Sequence, residues 1–341
     1  MHLYLNTYGT YLHIKDQLFE VRVPESEGSK QYQKHHVAAQ KVRTIVMTTS
    51  AALSTDAIKL AMAHHIDIVF LERGGQPFGR VWHSKPGSTT RIRKRQLEAS
   101  LSETGLRWVK NWTLRKMQNQ ADFLFDLLRH RPHLKASFTE KRERIAELQK
   151  SVQDLEGDRT ADVADSLRGL EGSAGRLYFA GLSEAIPSAW AFKGRSSRPA
   201  KDPFNAFLNY AYGILYSRVE KALMVAGLDP YTGFLHRDDY NQLSFVYDFI
   251  EPYRIYADTV VFRLFSGKKV NQQHTDELSV GYSLNKEGKQ LLVAAFTDYL
   301  DEDTIRVLNR NQTRANAMQA EAHGFANSLL EKDDDYETED Y

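Results

Sequence analysis

Apolar side chains recur two apart along the first ninety or so residues, at Leu3/Leu5, Leu12/Ile14 and Phe19/Val21/Val23. This is the strand period, because successive side chains of a strand point to opposite faces of a sheet. Asp16-Gln17 between two such runs predicts a hairpin turn, and Val42 to Met47 predicts a short buried strand. Ser54 is placed to cap a helix running through Ile58, Leu60 and Ala61, which His64-His65 ends. Ile66 to Leu71 is the next strand, and Gly74-Gly75 turns the chain toward Phe78-Gly79-Arg80-Val81-Trp82.

The pattern then changes. Lys85 to Arg95 holds Pro86, Gly87, Ser88 and two threonines before Arg91, Arg93, Lys94 and Arg95, and reads as a linker. From about Arg93 the apolar spacing is helical, at Leu97/Leu101, Trp108/Val109/Trp112, Leu124/Leu127/Leu128 and Ile145/Leu148/Val152/Leu155. Asp202-Pro203 starts another helix, an N-cap acid followed by proline at the first helical position. That helix runs through Phe207, Tyr210, Leu215 and Val219 and stops near Gly227, with Pro230 beyond. The expected architecture is α+β, with a small β-rich N-terminal domain over residues 1–90 and a larger all-α domain over 91–330. Residues 331–341 form an acidic tail expected to be disordered.

Composition removes several chemistries. The chain of 341 residues has no cysteine, so disulfides, thiolate metal sites and a cysteine nucleophile are excluded. The N-terminus has no signal-peptide pattern, and no apolar run approaches the ~20 residues of a membrane span. A cytoplasmic protein that does not engage a membrane is expected. The formal charge of +1 hides an asymmetry: residues 331–341 hold seven acids and one lysine, a net of −6, which leaves +7 on the body. That surplus is compatible with a polyanionic partner without identifying one. The run Arg91 to Arg95, with Arg129, Arg131 and Lys135, could follow a phosphate backbone or form a solvated helix face.

Two places could carry chemistry. A helix from Val163 to about Leu182 has the stripe Val163, Leu167, Leu170, Ala174, Leu177 and Tyr178, and Glu171 falls inside or beside it. A carboxylate there needs a cation, a metal or hydrogen-bond donors; Arg168 or Arg176 would be the plain structural partner. Gly169, Gly172 and Gly175 on this helix suggest that another helix or a bulky ligand approaches closely. The second place is Gly233-Phe234-Leu235-His236, followed by Asp248 and Glu251 amid Phe245, Val246, Phe249 and Ile250. A histidine after a glycine turn is often a packing or capping residue, but two acids in an apolar run beside it point to a metal or acid–base site. Pro252 directly after Glu251 sits poorly with a continuous helix. Together Glu171, His236 and Glu251 make a one-histidine, two-carboxylate set, which suits Mg²⁺ or Mn²⁺ better than zinc. The chain shows no Walker-type loop, dinucleotide fingerprint or nucleophile elbow.

These blocks, in this order, resemble the CRISPR-associated integrase family of spacer acquisition. The stretch Glu171-Gly-Ser-Ala-Gly-Arg-Leu-Tyr178-Phe179 is similar to the family's glutamate helix. Lys193-Gly-Arg195-Ser-Ser-Arg198-Pro199 with Asp202-Pro203-Phe-Asn205 is similar to the next signature, and Gly233 to His236 and Phe245 to Arg254 supply the rest. The resemblance spans Leu3 to about Leu330. It implies a β-rich N-terminal domain, a helical catalytic domain and a homodimer, two of which flank a dimer of a small adaptation protein in a heterohexamer. By position it makes Glu171, His236 and Glu251 the catalytic metal ligands for Mg²⁺ or Mn²⁺ and Asp248 their supporting acid. Many relatives carry aspartate where Glu251 stands. It also suggests DNA contacts at Tyr216, Tyr247, Arg195 and Arg198. The implied activity joins 3′-hydroxyl ends of short foreign duplexes to a CRISPR repeat by transesterification. A metal-dependent structure-specific nuclease without integration, and a non-catalytic DNA-binding scaffold, are the alternatives.

Overall fold

In the computed structural model the described residues are 1–26, 29, 31–64, 66–72, 77–81, 90–236, 242–307 and 310–330. The Gly74-Gly75 turn, Trp82, His65, residues 85–89 of the expected linker and the acidic tail lie outside them. The chain divides into two compact units, Met1–Pro86 with Tyr212–Ser217, and Gly87–Ala211 with Arg218–Tyr341.

The first unit holds two four-stranded sheets. One has the order β1 (His2–Leu5), β5 (Thr44–Met47), β7 (Asp67–Leu71) and β8 (Pro77–Val81), parallel except at the last pair. β5 is buried at all four positions, as a central parallel strand covered on both faces must be. The other has the order β4 (Tyr32–Val37), β3 (Leu18–Pro24), β2 (Tyr11–Lys15) and β6 (Ala52–Leu53). Leu5, Leu12, Phe19, Ile45 and Ile68 share one core. Asp16 and Gln17 take φ of 51° and 61°, the left-handed pair that a two-residue hairpin requires. Ser54 accepts from the Ala57 amide at 3.1 Å and starts α1 (Thr55–Ala63), which exposed His64 closes.

One polar cluster is built into this unit. The cross-strand register places His13, Glu20 and His36 in a row. Glu20 is fully buried and accepts from Arg22 Nε at 2.7 Å and from the Nε2 atoms of His13 and His36, each at 2.8 Å. The Arg22 hydrogen bond, with those of the two histidines, overcomes the opposing effect of burial and holds the carboxyl at about 2.

The second unit is mostly helical: α2 (Thr90–Ser100), α3 (Glu103–Leu127), α4 (Lys135–Gln153), α5 (Thr160–Ala185), α6 (Pro203–Val225, apart from its Tyr212–Ser217 stretch), α7 (Ser244–Phe249), α8 (Arg254–Ser266), α9 (Lys286–Thr297) and α10 (Arg314–Leu330). It also carries two short hairpins, β9–β10 (Thr275–Glu277, Tyr282–Leu284) and β11–β12 (Thr304–Val307, Arg310–Thr313), which the apolar spacing does not announce. α3, α4 and α5 pack on one another. At Gly181 an added Cβ would stand 2.8 Å from Leu124 Cδ2, so a larger residue there would have to displace the Leu124 side chain between α5 and α3. Trp112 on α3 anchors an aromatic cluster with Phe234, Phe245, Phe249 and Phe325, at ring separations of 5.6–5.9 Å. Asp202 accepts from the Asn205 amide at 2.8 Å to start α6, and Gly227 follows its end with φ of 84°. Among the described residues no helix is long and apolar enough to cross a membrane.

Three expectations are corrected. Residues 90–95 are not linker but the first turns of α2, because Arg91 to Arg95 are good helix formers with solvent around them. Leu97 and Leu101 are exposed, and α2 buries Gln96 and Ala99 instead. Of the two approaches expected at Gly169, Gly172 and Gly175, a helix is ruled out among the described residues: an added Cβ would meet nothing within 4 Å at Gly169 or Gly175, and at Gly172 just the Arg176 side chain. The close approach on α5 is at Gly181.

Candidate active site

α5 buries Val163, Leu167, Ala174 and Tyr178. Glu171, four residues after Leu167 and three before Ala174, lies on that side and is half-buried. Neither Arg168 nor Arg176 neutralises it. Its Oε1 instead accepts from the Nζ of Lys116 on α3. The same ammonium lies 2.5 Å from Glu251 Oε2. Two helices and a turn thus deliver two carboxylates to one cation.

Glu251 owes its position to Pro252. α7 stops at Phe249, and Glu251–Tyr253 form a tight 3-10 turn before α8 begins at Arg254. Proline lacks an amide hydrogen and is tolerated at the start of a helical segment, so the chain breaks and restarts here. Asn119 on α3 donates to the Pro252 carbonyl at 2.8 Å and pins the turn. Arg254 Nε donates to Glu251 Oε1 at 2.8 Å. Burial opposes ionisation of Glu251, but Arg254 and Lys116 outweigh it and hold the carboxyl well below its ordinary range. Burial likewise opposes the Lys116 charge, and Glu251 and Glu171 outweigh it and raise its pKa. Both shifts describe an ionised cluster.

His236 is held separately. The buried Gln96 amide donates to the Asp229 and Thr232 carbonyls at 2.9 and 3.2 Å and accepts from the Asp229 amide at 2.8 Å, fixing the segment that leads to the histidine. Asp248, buried at the end of α7, accepts from the backbone amides of Phe234, Leu235 and His236 at 2.5, 3.0 and 3.1 Å. It also accepts from His236 Nδ1 at 2.6 Å. Arg168 donates to the Leu235 carbonyl at 2.8 Å, and the Tyr247 ring lies 5.6 Å from the imidazole. With Nδ1–H committed to Asp248, Nε2 carries the lone pair of the neutral ring. Burial lowers the imidazole pKa, but Asp248 reverses this and raises it, with a smaller contribution from Glu251.

The arrangement therefore differs from three ligands converging on one point. Among the described residues no three His, Asp or Glu side chains stand at the spacing of a ready ligand cluster. Glu171 and Glu251 meet through Lys116, and His236 is held by Asp248. The donor chemistry still fits a divalent cation. Lys116 marks a cation position between two carboxylates, donating to Glu171 Oε1 and standing 2.5 Å from buried Glu251 Oε2. Glu171, Glu251 and His236 Nε2 could hold such an ion, two hard oxygens and one imidazole.

Sequence reasoning missed Lys116, and named Arg254 without a role. A signal was present for the first: Lys116 follows Trp112 by four residues and precedes Gln120 by four, both buried. A cation on a buried helix face needs an anion to meet it. Of the suggested DNA contacts, Arg195 donates to Asn205 Oδ1 at 3.1 Å and ties its loop to α6, whereas Arg198 is exposed. Tyr216 is half-buried on α6. Arg131 is committed to the fold, donating to the Ala185 carbonyl at 2.7 Å, and Arg95 pairs with Glu98 at 2.6 Å.

Residues 3–298 match the model of the family described as CRISPR associated protein Cas1. The chain is 32% identical over 315 residues to a CRISPR-associated endonuclease Cas1 of Archaeoglobus fulgidus, covering 89% of each. Its fold is similar to a casposase bound to integration product, with a TM-score of 0.83, 20% identity, and 100% of this chain and 95% of the other covered. It is also similar to part of a Cas6-RT-Cas1–Cas2 complex, with a TM-score of 0.78, 20% identity, and 97% of this chain and 35% of the other covered.

Proposed function

Because the chain belongs to the CRISPR-associated Cas1 family, we propose that it is a divalent-metal-dependent DNA endonuclease and integrase. It joins the 3′-hydroxyl ends of short foreign duplexes into a CRISPR repeat array in the cytoplasm. The observation that carries this reading is the convergence of Glu171 and Glu251 on one cation position beside an imidazole whose Nε2 is presented by Asp248. The endonuclease name of the Archaeoglobus relative, the integration product held by the casposase and the Cas1–Cas2 assembly support it.

Bound by Glu171, His236 and Glu251, Mg²⁺ or Mn²⁺ supplies Lewis acidity to the phosphodiester and to the oxygen that leaves it. The chain's own residues prepare that site. Arg254 keeps Glu251 ionised and aimed, Asn119 fixes the turn beneath it, and Asp248 selects the imidazole tautomer. The attacking oxygen comes from the DNA. A P–O bond forms to the incoming 3′-oxygen as the bond to the target strand's 3′-oxygen breaks, so the number of phosphodiesters is unchanged. Water in place of that hydroxyl gives strand cleavage at the same site. The working assembly is a homodimer, two of which embrace a dimer of the small adaptation partner.

The test is transfer of a labelled 3′-hydroxyl duplex into a repeat-bearing plasmid. Glu171→Gln, His236→Ala and Glu251→Gln should each abolish joining while the melting temperature stays close to that of the parent protein. Full joining by all three would overturn the assignment, cutting without joining would leave a nuclease, and DNA binding unaffected by EDTA with no turnover would leave a scaffold.

A further inference from the structure

Lys116 has no role in the chemistry above, yet its ammonium stands where the two carboxylates meet. Three observations bear on what it does there. First, the ion pairs of this unit differ in kind. Arg254–Glu251 and Arg218–Asp301 are guanidinium hydrogen bonds of 2.8 and 3.0 Å from planar, preorganised forks. Lys116 divides one ammonium between two carboxylates, donating to Glu171 Oε1 and lying 2.5 Å from Glu251 Oε2. Second, the ammonium is a point charge on a flexible four-carbon stem, able to move several ångström while α3 stays fixed. Third, α5 leaves open space one turn beyond Glu171. Gly175 lies one helical turn on from Glu171, and a Cβ added there would meet nothing within 4 Å.

A divalent cation bonds carboxylate oxygen at about 2.0–2.2 Å and carries twice the charge, so it takes the oxygens from an ammonium. The two cations repel at such separations, and the tethered one must withdraw. Resting on the metal-site reading above, we propose that Lys116 is an exchangeable counter-ion. It holds Glu171 and Glu251 together, yields them to the divalent cation, and then grips a phosphate oxygen of the DNA. Metal and DNA binding thereby strengthen each other.

The experiment measures Mn²⁺ affinity of the full-length protein by calorimetry, with and without a short DNA duplex, for the parent, Lys116→Gln and Glu171→Gln. Removing the competitor should tighten Mn²⁺ binding without DNA by roughly tenfold or more, the scale of one lost unit charge near the site. DNA should tighten Mn²⁺ binding by the parent and have little effect on Lys116→Gln. Equal or weaker binding by Lys116→Gln, with the parent binding and Glu171→Gln not, overturns the counter-ion role and leaves the metal site standing. No binding by the parent, or parent-like binding by Glu171→Gln, overturns both. A second measurement needs no variant: reductive methylation of the Lys116 amine in the parent, read by peptide mass spectrometry. Saturating Mg²⁺ should speed it severalfold, and an unchanged rate overturns the proposal.

Discussion

Glu20 in the first unit and Glu251 in the second are both buried carboxylates held below the ordinary carboxylate range by cationic or hydrogen-bonding neighbours. Their surroundings differ in the direction of those bonds. Glu20 is closed: Arg22, His13 and His36 each aim a hydrogen bond at it across a rigid sheet. An ionised carboxylate only accepts, so both ring nitrogens facing it must carry protons, and neither offers a lone pair to a metal. Glu251 is half closed. Arg254 satisfies one oxygen from a fixed guanidinium, and the Lys116 ammonium, shared with Glu171, covers the other. One carboxylate, two histidines and an arginine make a joint in the sheet; two carboxylates, one histidine and a lysine make the proposed centre among the helices. Residue inventory does not separate them. Donor direction does.

The comparison can be tested at several strengths. The largest effect is expected for Glu171→Gln, which should lower joining about a thousandfold or more, the several kcal/mol scale of metal charge stabilisation. Glu20→Gln should leave the joining rate of the folded protein unchanged while lowering its melting temperature. Lost Mn²⁺ binding in Glu20→Gln would erase the distinction. Asp248→Asn comes next. It weakens the acceptor for three amides and the imidazole, and should weaken Mn²⁺ binding roughly 10–100-fold in a calorimetric titration.

Acid should also separate the units. Glu20 is held at about 2 in the folded protein against 4.5 as a reference, so the unfolded chain binds its proton first. Its contribution is complete above about 4.5 and is lost as pH falls through that value toward 2. Glu20→Gln should flatten this part of the stability-versus-pH curve, followed by denaturant melts. The smallest effect belongs to Arg168→Ala, which removes one hydrogen bond to the Leu235 carbonyl, worth about 1 kcal/mol. Mn²⁺ affinity should fall only severalfold, by the usual relation of free energy to affinity. A loss as large as that of Asp248→Asn would mean that Arg168, not the aspartate, orients the imidazole.

Local signals in the sequence were reliable where one residue type satisfies one backbone need. Ser54 and Asp202 cap helices, Asp16-Gln17 turns a hairpin, and Gly227 follows a helix end. Signals that depend on what lies across the interior failed. Leu97 and Leu101 keep helical spacing yet face solvent, because Gln96 is drawn inward by the Asp229 and Thr232 backbone. The glycines around Glu171 suggest a close approach by a helix or a bulky ligand, but the helix contact is ten residues on, at Gly181, where Leu124 lies. At the site, resemblance singled out Glu171, His236 and Glu251, and the structure brings the two glutamates together. Lys116 was illegible because it belongs to a helix fifty-five residues upstream of Glu171, and nothing local says which anion a lysine will meet.

Asp248 lies near the end of α7 and Glu251 opens the tight turn that carries Pro252, the two separated by Phe249 and Ile250 alone. One short piece of chain thus governs both the attitude of the imidazole and the delivery of a carboxylate. A single inserted or deleted residue between them would swing one acid about 100° away from the other around the local helical axis. Engineers seeking to remodel this protein have freedom in the hairpins and surface turns, but this stretch must be copied letter for letter in length.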